Sequence, residues 1–373
     1  MTARKPTIAD VARSAGVSKG LVSFALNDRP GVSPETRSRI LSVAEDLGWQ
    51  PSLRARALST RTAYALGLVI AREPDVIGVD PFFSAVIAGI ERVLAPEGRV
   101  LVLSVVADPS EEIATYRNFA RDSRVDGVFL TDLRYDDPRI PLLGELGIPA
   151  VTFGRPGCPS PFPAVVLDDT EGIESVVRHL IDLGHRRIAH VGGSAQLLHG
   201  ARRRDAFLAA TRAAGIPDAQ VLETDFSAAA GAAAARVLLS QPEPPTAILF
   251  ANDPMAIAGL SVAHERGVRV PEDLSISGFD GSDMSRYVYP TLTTVSSDAV
   301  AWGSAAAQTL LESIASGASS DVELPAARIV VRDSTSAARS DVAPRPPHPT
   351  GDGPLSPTPD PRTPTTRAAG GHR

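Results

Sequence analysis

Apolar residues in the first sixty positions recur at helical spacing. Ile8, Val11, Ala12 and Ala15 share one face, and Thr7 followed by Asp10 forms a capping-box-like start. Gly16 ends this helix, and Ser18 caps a second one running to about Leu26. Asn27-Asp28-Arg29-Pro30-Gly31 reads as a loop. Ser33-Pro34 opens a third helix with Ile40, Leu41, Ala44 and Leu47 apolar, and Gly48 stops it. A short fourth helical piece, Leu53 to Leu58, follows Pro51.

From Ala65 the pattern changes. Apolar runs of strand length (66–71, 100–106, 127–130, 150–153, 165–167, 188–191, 247–251 and 274–279) alternate with helical stretches such as 83–94, 170–183, 203–214, 228–239 and 253–264. This alternation predicts parallel sheets covered by helices on both faces. There are too many strands for one compact sheet, so two α/β lobes are expected. After about Thr335 the pattern stops. Residues 341–373 hold nine prolines and almost no large apolar side chain, a composition that predicts a disordered tail.

Composition narrows the class. The chain has 373 residues and one cysteine, Cys158, which excludes an internal disulfide and a Cys-rich zinc site. No apolar run approaches membrane-spanning length and no secretory h-region follows Met1, so a soluble cytoplasmic protein is expected. The net charge of −6 is unevenly spread. Residues 1–61 carry ten basic and five acidic residues, a balance of +5, which leaves −11 on the other 312. A basic segment on an acidic body hints at nucleic-acid binding by that segment; a solvated charged face is the plainer alternative.

The two helices 8–15 and 18–26 form a helix-turn-helix pattern. In the second, Val22, Ala25 and Leu26 can face a small core, while Lys19, Gly20, Ser23, Phe24 and Asn27 fall on the other side. Such a helix fits the major groove, with side chains near its N-terminus reaching base edges. An ordinary helical bundle gives the same spacing.

Specific residues carry the reading further. The runs Thr7-Ile8-Ala9-Asp10-Val11-Ala12, Gly16-Val17-Ser18, Val22-Ser23, Leu26-Asn27, Val32-Ser33-Pro34-Glu35-Thr36-Arg37 and Leu47-Gly48-Trp49-Gln50-Pro51 resemble the LacI/GalR family of bacterial transcriptional regulators. So do Asp80-Pro81-Phe82-Phe83, Val125-Asp126-Gly127, Gly184-His185-Arg186-Arg187-Ile188, Asn252-Asp253 and Ser277-Gly278-Phe279-Asp280, and the similarity covers roughly 6–335. The resemblance implies a homodimer that binds double-stranded, palindromic operator DNA and responds to a small effector, without catalysis, metal or cofactor. It implies an all-α helix-turn-helix domain over 1–50, a hinge helix and linker over 51–63, and an effector domain over 64–335 like the periplasmic binding proteins. One lobe is expected from 64–160 plus 290–320, the other from 161–289 plus 321–335, with the tail over 336–373.

By position, the resemblance makes Lys19, Gly20 and Phe24 base readers, and Thr7, Ser18, Ser23 and Asn27 phosphate or capping groups. Leu21 stands where threonine is frequent and Phe24 where arginine is frequent; a phenyl ring offers a base only apolar contact. In the hinge, Arg54 and Ala55 lie against DNA and Leu58 is the minor-groove wedge, while Ser52 replaces a common asparagine. For the effector, the resemblance nominates Phe82, Phe83, Arg155, Arg203, Phe226, Asn252 and Asp280. Asn, Asp and Arg beside an aromatic face suit a polyol, most simply a sugar whose binding releases a repressor from DNA. A purine or other non-sugar metabolite, or a corepressor, is the alternative. Asn252 and Asp253 also read as helix caps, and Phe226 as core.

Other classes fit poorly. Asp168-Asp169 precedes a helix and reads as capping rather than catalysis. Gly192-Gly193-Ser194 is too short for a phosphate loop, and the histidines show no metal spacing. A transport-type sugar-binding protein would share the lobes but not residues 1–61.

Overall fold

The computed structural model describes residues 6–26, 29–49, 62–72, 78 and 80–339. Its N-terminal unit contains α1 (Ile8–Ala15), α2 (Lys19–Leu26) and α3 (Pro34–Asp46). The capping signals act as their chemistry dictates. Thr7 N and Oγ1 both donate to Asp10 Oδ2, at 2.9 and 2.6 Å, and Gly16 closes α1 in a left-handed conformation. Ser18 Oγ accepts from Leu21 N at 3.1 Å, and Ser33 Oγ from Thr36 N at 3.2 Å. Val11, Ala12, Ala15, Val22, Ala25, Ile40 and Ala44 form the unit's own core, whereas Leu41 and Leu47 stay exposed.

The remainder forms two parallel-sheet lobes. The strands are β1 (Ala65–Ala71), β2 (Val100–Val106), β3 (Gly127–Leu130), β4 (Ala150–Phe153), β5 (Ala164–Val166), β6 (Ile188–Gly192), β7 (Gln220–Glu223), β8 (Ala247–Phe250), β9 (Ser275–Asp280), β10 (Thr293–Ser296), β11 (Val322–Glu323) and β12 (Arg328–Val330). The first sheet runs β11-β5-β4-β3-β1-β2, all parallel; the second runs β12-β10-β9-β8-β6-β7, with only β12 antiparallel. Helices α4 (Pro81–Leu94), α5 (Pro109–Arg121), α6 (Arg139–Leu146) and α11 (Ala299–Ser316) cover the first sheet. The second is covered by α7 (Asp169–Asp182), α8 (Leu198–Ala213), α9 (Ala228–Leu239) and α10 (Asp253–Glu265). Full burial of strands such as β3 and β8 explains why their sequences read as unbroken apolar runs.

Sheet membership corrects the expected lobe division. β5 at 164–166 and β11 at 322–323 pair in the first sheet, not the second, and β10 at 293–296 pairs in the second, not the first. The chain therefore crosses between lobes after β5, before α11 and between β11 and β12. Strands of two to four residues carry too little periodicity to assign from pattern alone.

The expected tail boundary also shifts. Residues 336–339 pack on the second lobe: Ser336 N donates to Ser275 Oγ at 3.1 Å, Ser336 Oγ to Pro271 O at 3.0 Å, and Ala338 N to Leu183 O at 2.8 Å. Backbone hydrogen bonds fix this stretch without large apolar side chains, so hydropathy did not mark it. Residues 340–373 lie outside the described residues.

A contact across the lobes fixes their spacing. Leu198, on α8 of the second lobe, is buried in an apolar cluster of the first with Val69, Leu130, Leu133 and Ile140. Leu198 N donates to Leu133 O at 2.8 Å, and Arg202 Nη2 donates to Arg155 O at 2.6 Å.

Candidate functional site

On the N-terminal unit, Lys19, Gly20 and Phe24 lie on the solvent side of α2, opposite the buried Val22 and Ala25. Phe24 is 41% exposed, high for a phenyl side chain, and the Arg29 guanidinium lies over its ring at 5.8 Å. Ser23 is half-buried, and Thr7 and Ser18 are engaged in capping. Asn27, Arg54, Ala55 and Leu58 lie outside the described residues. Where the described chain resumes, Asp126 holds its entry into β1: Oδ1 accepts from Ala63 N at 2.6 Å and Oδ2 from Tyr64 N at 3.0 Å. Arg99 Nη1 donates to the same carboxylate at 2.7 Å.

Between the lobes lies a small cavity of about 70 Å³ whose walls come from the C-terminal ends of parallel strands. Arg72 follows β1, Thr131 and Asp132 follow β3, Asp169 follows β5, Asn252 follows β8, and Asp280 ends β9. Asp80, Phe82, Phe153, His199, Arg203, Phe226 and Trp302 complete the wall. A more open hollow of about 380 Å³ lies alongside, shares Phe153, Asp169, His199 and Trp302, and adds Arg155, Asp168, Arg202 and Glu323.

Two arginines organise this cleft. Arg203 Nε donates to Asp169 Oδ2 at 2.9 Å and Nη1 to Ala251 O at 2.8 Å, while its guanidinium lies 3.7 Å from the centre of the Phe279 ring. Arg72 donates twice to Asp132, at 2.6 and 2.7 Å, and sits between the rings of Phe83 and Phe226, 5.3 and 5.1 Å away. Phe226 belongs to the second lobe, so this sandwich bridges the cleft. Its ring also packs against His199 in a tilted arrangement, with centroids 5.0 Å apart. Trp302 Nε1 donates to Val165 O at 2.9 Å, which holds the indole against Phe153 and Phe82.

The electrostatics follow from burial and pairing. Burial alone would raise the Asp132 carboxyl, but the charge and hydrogen bonds of Arg72 hold it at about 2. Burial pushes the Asp80 carboxyl up and the Asp280 carboxyl well above the usual range. His199 is held down to about 3, first by burial and then by the surrounding arginines, and is therefore neutral at physiological pH. Asp132, Phe226 and Asp280 have φ of 50°, 70° and 97°, left-handed backbone that non-glycine residues adopt only under constraint.

The expected effector residues divide by environment. Phe82, Arg203, Phe226, Asn252 and Asp280 line the cavity together. Asn252 is also a helix cap, accepting from Met255 N at 2.9 Å while its Nδ2 donates to Phe226 O at 2.9 Å. Phe83 is in the core behind Arg72 rather than on the cavity wall. Arg155 lies in the adjoining hollow, half-exposed and paired with Asp321 at 2.7 Å and with Glu323. Asp168 caps α7 as expected, accepting from Thr170 N at 2.8 Å, but Asp169 instead pairs with Arg203.

Sequence reasoning passed over Arg72, Asp132, His199 and Trp302. For Arg72 and Asp132 a signal existed: each lies within two residues of the end of an apolar parallel strand, where ligand-facing groups gather. Trp302, on a helix distant in sequence, gave none.

Comparison with known proteins agrees with this architecture. Residues 7–52 match the bacterial regulatory proteins of the lacI family, and residues 177–335 match the periplasmic binding protein-like domain. The HTH-type transcriptional regulator CelR of Thermobifida fusca is 33% identical over 325 residues, covering 86% of this chain and 95% of that protein. The HTH-type transcriptional repressor PurR of Escherichia coli O139:H28 is 32% identical, covering 83% and 90%. Among solved structures, the lac repressor dimer bound to operator and the anti-inducer ONPF superimposes with a TM-score of 0.78 at 26% identity, covering 90% of this chain and all of that one. The CelR–cellobiose complex superimposes with a TM-score of 0.68 at 31% identity, covering 88% and 99%. A helix-turn-helix unit joined to two binding-protein-like lobes, with relatives of this identity along most of its length, makes this chain a DNA-binding transcriptional regulator of the lacI family, not an enzyme.

Proposed function

We propose that this regulator represses carbohydrate-utilisation genes, binding a palindromic operator as a homodimer and leaving it when a sugar-like effector enters the interlobe cleft. The observation that carries this reading is the cleft wall: Arg203 and Asp280 beside a cavity that Phe226 lines with an aromatic face. Directed polar groups beside a ring face suit the hydroxyls and the apolar side of a sugar. The cellobiose complex of a relative with the same fold supports it. Lys19 supplies the main polar base contact on the exposed side of α2, and Phe24 makes apolar contact with a thymine methyl or a sugar. Leu58 wedges the central base step, with Arg54 and Ala55 beside it.

An effector that binds one lobe arrangement better than the other shifts operator affinity by that difference, typically about 1–3 kcal/mol. Selection of sites from random duplexes, followed by anisotropy titration with a sugar panel, tests the whole reading. A palindromic consensus released by one sugar is expected; a consensus unchanged by Lys19→Ala removes the base-reading role. The second reading, a purine-type effector, draws on the flat Phe226–Arg72 face and the PurR relative. Tight binding of a nucleobase alone would favour it.

A further inference from the structure

The interlobe cleft holds more carboxylate than it pairs. Arg72 and Arg203 face Asp80, Asp132, Asp169 and Asp280. Asp132 is fully engaged by Arg72. Asp169 gives Oδ2 to Arg203, which leaves Oδ1 buried without a hydrogen-bond partner. Asp80 Oδ1 accepts from Phe82 N at 3.0 Å, but its Oδ2 reaches Arg72 only at 4.0 Å, and Asp280 reaches Arg203 only at 3.9 Å, charge contacts beyond hydrogen-bond length. Meanwhile Asn252 Nδ2 and Arg203 Nη1 already donate to backbone carbonyls. The cleft therefore sets four carboxyl groups against two guanidinium groups, and Asp80 and Asp280 face one another's charge. The adjoining hollow does not reverse this balance, because Arg155 is paired with Asp321 and Glu323, and Asp168 and Glu323 line it together with Arg202.

We infer that the cleft selects its effector by charge: it accepts a neutral or singly cationic ring that presents hydrogen-bond donors, and rejects phosphorylated or carboxylated forms of the same ring. The inference rests on reading the cleft as the effector site. An added anion would sit where carboxyl groups outnumber guanidinium groups in a partly desolvated space, where like-charge repulsion is strong. A hydroxyl or ammonium would instead supply a donor to Asp280, Asp80 Oδ2 and Asp169 Oδ1. The elevated Asp80 and Asp280 carboxyls agree with this: burial raises both first, and neighbouring carboxylates add to it against the pull of Arg72 and Arg203.

The test is calorimetry on the full chain with matched series: glucose, glucosamine, glucose 6-phosphate and glucuronate, and the corresponding galactose and mannose sets. Within any series that binds, the anionic members should be weaker than the neutral one by on the order of 100-fold or more. The gap should fall below about tenfold in the Asp80→Asn, Asp280→Asn double variant. An anionic member binding as tightly as its neutral counterpart overturns the inference.

If no series binds, the sugar reading fails, and the charge surplus is still decided by melting. Asp280 faces Arg203, Arg72, Asp80, Asp169 and Asp253. Its carboxyl is raised on folding, so its cost is absent below the ordinary carboxylate range and full once it ionises. Asp280→Asn should therefore melt above the parent at pH 8, with the difference shrinking toward pH 4; Asp80→Asn should do the same. Differences independent of pH overturn the surplus.

Discussion

A single added methyl group should uncouple effector from operator. Gly193 lies directly under the Phe226 ring: a Cβ built there would stand 1.8, 2.1 and 2.2 Å from three ring atoms. Ordinary carbon–carbon contact begins near 3.5 Å, so in Gly193→Ala the ring must retreat by roughly 1.5–2 Å. It cannot move without leaving His199 and Arg72, which it contacts at 5.0 and 5.1 Å. Overpacking of this kind costs about 1–3 kcal/mol, equivalent to a fall in melting temperature of about 2–4 °C per kcal/mol for a domain this size. The displaced ring also enters a cavity of only about 70 Å³. Effector affinity should fall by about 10- to 100-fold, since each tenfold step is 1.4 kcal/mol. Operator affinity without effector should not change, because α2 and its core are built separately from the lobes. The assay is anisotropy of a labelled operator titrated with effector, beside thermal melting of parent and variant. In a Phe226→Ala background the added methyl should cost almost nothing, which isolates the clash from any other effect. A variant that melts and responds to effector like the parent, or the same cost in both backgrounds, would falsify the proposed contact.

Three further outcomes are expected. Arg139→Ala leaves Glu112 and Asp137 buried with less compensation, because Arg139 donates to them at 2.7 and 2.6 Å; urea unfolding should show a loss of about 3–5 kcal/mol, and a loss under 1 kcal/mol would contradict the pairing. Asp253 is pushed up to about 6 by burial against the hydrogen bonds of Thr294 and Ser282, so its ionisation lowers stability as pH rises from about 4 through 6, by about 3 kcal/mol; the difference in urea midpoint between parent and Asp253→Asn should change across that window and stay flat above it. Leu198→Ala removes an apolar side chain that the second lobe seats in the first, and should cost about 2–5 kcal/mol by urea unfolding; an unchanged midpoint would mean that the lobes do not depend on this contact.

Much of this was legible in the sequence, for reasons that differ by element. The helices of the N-terminal unit carry their boundaries in side-chain chemistry, such as Thr7 with Asp10 and Ser33 before Pro34, and these caps form as their residue types require. The central strands announce themselves as apolar runs because both faces are buried. Two short edge strands do not: β7 and β11, of four and two residues and partly exposed, have no pattern to read, whereas the longer edge strand β2 does. Within the cleft, Arg203 and Asp280 were identifiable through a family motif, whereas Arg72 was visible only as the charge that ends a buried strand. What escaped is tertiary. That Arg72 would meet Phe226, or that Trp302 would arrive from a helix more than two hundred residues later, depends on which lobe each segment joins.

The triple crossing between lobes also bears on the order in which the protein can be made. The first lobe lacks α11, with Trp302 and its packing against α4, until residue 316 is synthesised, and it lacks β11 until residue 323. The second lacks β12 until residue 330. Neither lobe can therefore close early and wait for the other on the ribosome; both are completed by the same stretch, residues 299–330. A chain interrupted near residue 290 would carry the whole DNA-reading unit attached to two unfinished sheets. A nascent or damaged regulator of this build would thus offer itself to proteolysis rather than persist as a DNA binder that no effector can dislodge.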